Sequence, residues 1–302
     1  MLKRSCFLLI SLFCLLNTGF AQSKGVLLLT GILFFNEGIS AKSIDARVDG
    51  ATLAGNRIPL NKEFEIHLLS PAGFTEDNTK TVFAAVEMNI VSLKGVLLGK
   101  VPNVFKENEA KGFPAAAFKD AVVKIILKPE LLKTEPGCII KLRYYDLKGK
   151  NQLRLEFPVT ISKPGEALQA SKTISEIKAG AGAQARSVGL KIKNIDISID
   201  TTIRVSPKMA YASLDISNIE GTSISEVLSG KESYWVYDTD LNEIKSGEKQ
   251  LKQVGGAIEN NVVNYLSKIP FRLKTATGRS YIVRFRWEST DRRKVIDVVF
   301  VK

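Results

Sequence analysis

The feature that most constrains this chain is the strict alternation in its last stretch, "GRSYIVRFRWESTDRRKVIDVVFVK" (residues 278–302). Tyr281, Val283, Phe285 and Trp287 alternate with Ile282, Arg284, Arg286 and Glu288, and period two is the spacing at which side chains leave opposite faces of a strand. Ile296, Val298 and Phe300 repeat the rule after the polar segment "ESTDRR". The stretch therefore predicts a β-hairpin with one apolar face to bury and one mostly charged face to leave in solvent.

An earlier stretch, "GCIIKLRYYDLKGKNQLRLEFPVTI" (residues 137–161), has the same pattern. Setting Gly137 on Gly278 overlays the two without a gap and puts Leu142 on Val283, Tyr144 on Phe285, Leu155 on Ile296 and Phe157 on Val298. Gly149 is free to supply the positive φ that a tight turn often needs. Two more segments pair in the same order along the chain. "EFEIHLLS" matches "MAYASLDIS", with Leu214 on Ile66, and "VEMNIVSLKG" matches "ESYWVYDTDL", with Val236 on Ile90 and Asp238 on Ser92. The fold expected is all-β: two tandem immunoglobulin-like, or related, antiparallel β-sandwich domains.

The ends and the joint of that plan are read from composition. Lys3 and Arg4 precede an apolar run too short to span a bilayer, and Gly19 and Ala21 place small residues before a cut, so residues 1–21 predict a cleaved signal peptide. The mature chain then carries no integral membrane segment and is exported, to the periplasm or the cell surface. Residues 22–162 form the first domain, and "KGVLLLTGILFF" near its start is apolar enough to be buried strand. Residues 163–187, rich in Ala and Gly, read as a linker within which "ASKTISEI" can form an edge strand. Residues 188–302 form the second domain, opening on "LKIKNIDISIDTTIRV", whose isoleucines slip once in register where a bulge would sit. In "AAAFKDAVVKIILKPELL" a helical stripe competes with β-branched residues, and the match to "KIPFRLKT" favours a strand because Pro270 argues against a helix interior.

Loss of Lys3 and Arg4 takes 43 basic residues to 41 against 31 acidic ones, a mature net charge of +10. In an exported protein that favours an acidic polysaccharide or an envelope protein as partner over nucleic acid. Of three cysteines only Cys138 survives cleavage, so no internal disulfide is expected and the thiol reads as a small buried residue. His67 is the only histidine, which excludes metal sites built on two.

Catalytic motifs are missing. The chain has no Gly-x-Ser-x-Gly elbow, no phosphate-cradling glycine loop, no His-Glu-x-x-His and no cysteine pair. No cofactor and no metal is expected, and the chain reads as a non-enzyme. A carboxylate-pair glycoside hydrolase is the weakest of the readings, since such a pair is made in space. "DTDLNE" (residues 238–243) opens like a calcium loop, but Glu243 stands where that loop has glycine and Lys249 where it ends in glutamate. An acidic turn is the expectation.

The ligand-binding candidates lie on the faces turned away from the predicted cores. If Tyr234 and Val236 point inward, Trp235 and Tyr237 point outward together, as a platform for a glycan or a partner. Tyr145, with Lys141 and Arg143, makes the corresponding face of the first domain, and Arg284 and Arg286 can hold a carboxylate or phosphate. The function these residues imply is a noncatalytic binding or adhesion module of a bacterial cell envelope; the alternative is a structural subunit of an envelope assembly.

Overall fold

The computed structural model describes residues 24–179, 182–200, 209–250, 263–272 and 280–301, and the leader read at residues 1–21 lies outside them. Almost every described element is an antiparallel strand. Sheet I runs in the order Lys24–Val26, Leu33–Glu37, Gln152–Ile161, Gly137–Asp146, Ala84–Ser92 and Leu97–Val101. Arg57–Ile58 adds a short parallel pairing to Gln152–Ile161. Sheet II runs Asp120–Ile126, Glu63–Ala72, Ser40–Val48, Ala51–Leu53 and Ala170–Ser171. Alternation gives each strand one face for the space between them, and Phe64, Ile66, Leu68, Val123, Leu142, Tyr144 and Phe157 fill it. This is a β-sandwich.

The second half repeats much of the plan. Sheet III runs Ser175–Ile177, Ala183–Val188, Val295–Val301, Ile282–Glu288, Lys231–Tyr237 and Glu243–Gln250, the connectivity of sheet I. Sheet IV runs Lys191–Asp200, Met209–Glu220 and Val263–Arg272, the connectivity of the three leading strands of sheet II. Leu214, Ile216, Val236, Phe285, Trp287, Val298 and Phe300 make its core. A capped turn of helix, Ile224–Ser229, closes one end, with Ser223 accepting from the Glu226 backbone N–H at 3.2 Å. Trp287 Nε1–H donates to the Val227 carbonyl of that turn at 3.2 Å.

The registers correct the overlay of the two hairpins by two residues. Ile140 faces Phe157 on one side and Ile90 on the other, and Val283 faces Phe300 and Val236. Ile140 therefore corresponds to Val283, Leu142 to Phe285 and Tyr144 to Trp287. The turns agree, since Asp146 N–H donates to the Asn151 carbonyl and Ser289 N–H to that of Lys294. A shift of two leaves every side chain on its face, so alternation alone could not expose it.

Three local expectations also change. Gly149 does not take positive φ; a Cβ there would run into the Asp146 carboxylate and the Thr75 hydroxyl, so the glycine serves close approach. Lys191–Asp200 pairs with Met209–Glu220 without a slip, and the bulge sits in the partner strand, where Asn218 has φ 57°. The predicted linker carries short strands: Ala170–Ser171 at the edge of sheet II and Ser175–Ile177 at the edge of sheet III, both inside the stretch expected to form an edge strand, and Ala183–Val188, which was not expected. Its small side chains suffice because Ala183–Val188 pairs along Val295–Val301, and that strand supplies the bulk.

Candidate functional site

The charged face predicted for the last hairpin is closed. Arg284 and Arg286 are 5% and 6% exposed and Asp297 is fully buried, because the tip of the first hairpin, residues 27–32, lies across sheet III. The Arg284 Nε and Nη2 donate to the two Asp297 carboxylate oxygens at 3.1 and 2.6 Å, a bidentate pair. The Leu29 N–H donates to Asp297 at 2.8 Å. The Leu29 carbonyl accepts from Arg286 Nη1 at 2.9 Å and from Arg284 Nη2 at 3.3 Å. Arg286 Nη2 also donates to the Ala54 carbonyl at 2.6 Å, and Glu288 faces it at 3.3 Å. Two guanidinium groups thus meet two carboxylates and two carbonyls inside the seam, which is how buried charge is tolerated. The expectation of an open anion site at Arg284 and Arg286 is corrected accordingly.

Leu29 and Gly31 hold the tip in shape, with φ of 70° and 75°. A Cβ on Gly31 would collide with the Arg284 guanidinium, so glycine meets both the conformation and the close approach there. The Leu29 side chain is buried against Ala54, Val188 and Val295.

Trp235 and Tyr237 do share the outward face of Lys231–Tyr237, and that face is covered too. They pack with Val26, Leu28, Leu33 and Phe35; the Arg284 guanidinium lies 4.7 Å from the Trp235 ring centroid. Tyr237 is buried, which pushes its phenol up to about 12. The exposed platform expected of this pair is therefore corrected to a wall of the seam. Tyr145 stays half-exposed on sheet I, under the Arg143 guanidinium at 4.6 Å. Charges around it are paired: Arg143 with Glu87 at 2.6 Å, Lys100 with Glu87 at 2.9 Å and Lys141 with Glu156 at 3.0 Å. Hydrogen bonds from Asn89, Lys100 and Arg143 hold the Glu87 carboxyl down at about 2.

What the described surface leaves uncovered is concentrated elsewhere. Leu93, Val96, Leu97 and Val101 are 54%, 60%, 55% and 37% exposed, all in the hairpin that ends on the edge strand Leu97–Val101. The corresponding hairpin of the second half has the same turn. Ser92 Oγ accepts from the Lys94 and Val96 N–H groups, and Asp238 Oδ1 accepts from those of Asp240 and Asn242. Asp238 therefore caps a turn as Ser92 does, and the acidic run is spent on backbone and on Lys24, which pairs with Asp240 at 2.6 Å.

A cleft of about 710 Å³ beside the seam is lined by Ser171, Thr173, Ser175, Lys191, Glu220 and Arg293 among others. Asp291 also lines it, and its carboxylate accepts from Ser289 Oγ at 2.6 Å and the Arg293 N–H at 3.1 Å, which holds it below the usual range. A glycosidase acid needs the opposite shift. Among the described residues no aromatic ring lines this cleft.

His67 is buried in a polar patch on sheet II, between Asp120 at 2.8 Å and Glu65 at 3.0 Å. The Cys138 thiol is fully buried and pushed up to about 11. Among the described residues no group of three or more His, Cys, Asp or Glu is placed to hold a metal ion, and no helix is long and apolar enough to cross a membrane. Sequence reasoning missed Asp297, which lies directly across the hairpin from Arg286, and Glu232, buried where it accepts from Ser267 at 2.6 Å. Asp297 had a signal, a carboxylate inside an otherwise apolar run, whereas Glu232, between Lys231 and Ser233, had none.

No protein-family model matches the chain, and no curated protein matches it by sequence. Solved structures that it resembles in part include a candidate β-galactosidase of Bacteroides fragilis, at 10% identity and a TM-score of 0.26, covering 81% of this chain and 34% of that one. A β-glucuronidase of Parabacteroides merdae is similar at 9% identity and a TM-score of 0.22, over 80% of this chain and 27% of the other. A Bifidobacterium dentium β-glucuronidase in complex with coumarin-3-O-glucuronide matches at 9% and 0.22, over 92% and 49%. The chain thus spans less than half of each, and likeness at that level carries no argument about activity.

Proposed function

We propose that this chain is a noncatalytic, exported component of a bacterial cell envelope, built of two tandem sandwich domains and working by holding a protein partner in an assembly. The observation that carries this reading is the distribution of apolar surface. Tyr237 is buried and Trp235 half-buried in the seam, while four of the exposed large aliphatic side chains, Leu93, Val96, Leu97 and Val101, stand on one hairpin, where a lone monomer gains nothing from them. The buried cluster at Asp297 supports the same reading, since it makes a stiff carrier. The test is the size of the chain in envelope extracts of cells that make it. Wild type should elute well above the mass of one chain, which is 33.2 kDa before the leader is removed, and a Val96→Asp, Leu97→Asp variant should elute at monomer mass with its tryptophan emission unchanged. Elution of both at monomer mass sinks the proposal.

A further inference from the structure

The two halves supply a control on each other. Leu97–Val101 and Glu243–Gln250 are both edge strands, each following the same capped turn, and each has its bulge at the same place, at Leu98 between the Val91 and Ile90 pairings and at Ile244 between those of Tyr237 and Val236. In register, Leu93, Lys94, Val96 and Leu97 correspond to Thr239, Asp240, Asn242 and Glu243. At Thr239, Asn242 and Glu243 the second edge carries the polar and charged residues with which sheet edges resist pairing, where the first carries Leu93, Val96 and Leu97. In the fourth pair both residues are charged, Lys94 against Asp240, and Asp240 meets Lys24 of the seam.

From this contrast we infer that Leu97–Val101 is a docking edge, to which an extended segment of a partner protein adds as a further strand. The inference rests on the partner-holding function proposed above. A strand edge offers main-chain donors and acceptors along with side-chain contacts, which suits an extended peptide. The chemistry of the segment follows from the charges. Residues 91–101 hold two lysines and no carboxylate; Lys100 is engaged by Glu87, which leaves Lys94 at the exposed tip beside Gly95, where no atom lies within 4 Å of a Cβ position. The complement is a segment of aliphatic residues ending in an acidic one.

The probe is a short synthetic peptide alternating valine and glutamate, compared with its valine and lysine counterpart and with vesicles of phosphatidylglycerol. Binding of the acidic peptide should slow amide exchange at residues 97–101, weaken by about tenfold or more in Leu97→Asp, and shift toward the basic peptide in Lys94→Glu. Lys245→Glu on the opposite edge should change nothing. Equal binding of the two peptides, no protection at residues 97–101, or binding to the vesicles alone would overturn the inference, the last in favour of a membrane surface. If the chain still elutes in a large complex while both peptides fail, the docking edge is wrong and the partner-holding function stands.

Discussion

Arg284 shows how far a residue's role depends on what the chain brings to it. Its counterpart in the first half is Lys141, an outward residue of sheet I paired with Glu156 in partial solvent. Arg284 occupies the same place in sheet III and is buried beneath Leu29, because only this sheet receives a hairpin tip. A pair such as Lys141 and Glu156 contributes little, about 0–1 kcal/mol, whereas removing one partner of a buried pair strands the other charge at a cost of about 3–5 kcal/mol. Arg284→Met should therefore lower stability by about 3–5 kcal/mol in urea titration, with Asp297 left to the longer contact of Arg286 at 3.4 Å and the Leu29 N–H. The double variant Arg284→Met, Asp297→Leu should recover part of that loss. A single variant that costs under about 1 kcal/mol would show that the cluster is not desolvated as its burial implies.

At the scale of elements, sheet I keeps one face open, and its stability is tied to pH through Glu87. The folded carboxyl is held at about 2 by Asn89, Lys100 and Arg143, below its ordinary value of 4.5. A depressed acid stabilises the fold above its unfolded value, and the contribution is lost as pH falls from 4.5 toward about 2. Glu87→Gln should flatten the stability profile across that window and leave the ratio of stabilities at neutral and alkaline pH unchanged; an unaltered acid limb would remove Glu87 from the account. Elements were also where the sequence was most legible. Strands, faces and their order followed from alternation, because half-buried strands write burial into every second residue. The overlay still missed by two, since an even shift preserves that signal, and the strand Ala183–Val188 was missed because backbone pairing leaves no mark on side chains as small as those of Ala183 and Ala185. The site was the least legible. Trp235, Tyr237, Arg284 and Arg286 all point away from their own core as expected, and nothing in a strand's pattern tells whether solvent or another part of the chain lies on that side.

The whole molecule is shaped by that second covering. Residues 27–32 belong by connectivity to sheet I, yet they complete the outer face of sheet III, with Val26, Leu28 and Phe35 against Trp235 and Tyr237 and Leu29 locked to Asp297. Two halves joined through a buried seam should unfold together, and the two tryptophans allow a clean check because both lie in the second half. In the wild type, tryptophan emission should lose its native value at the same urea concentration at which amides of Glu63–Ala72, in the first half, lose exchange protection. Gly31→Val forces a side chain at φ 75° into the Arg284 guanidinium, so it should disengage the tip without touching either core. The tryptophan midpoint should then fall below that of the first-half amides, because sheet III loses its cover while sheet I loses only a turn. Coincident midpoints in the variant would mean the halves are held by something other than the seam. Separate midpoints already in the wild type would mean that the seam, though buried, couples nothing.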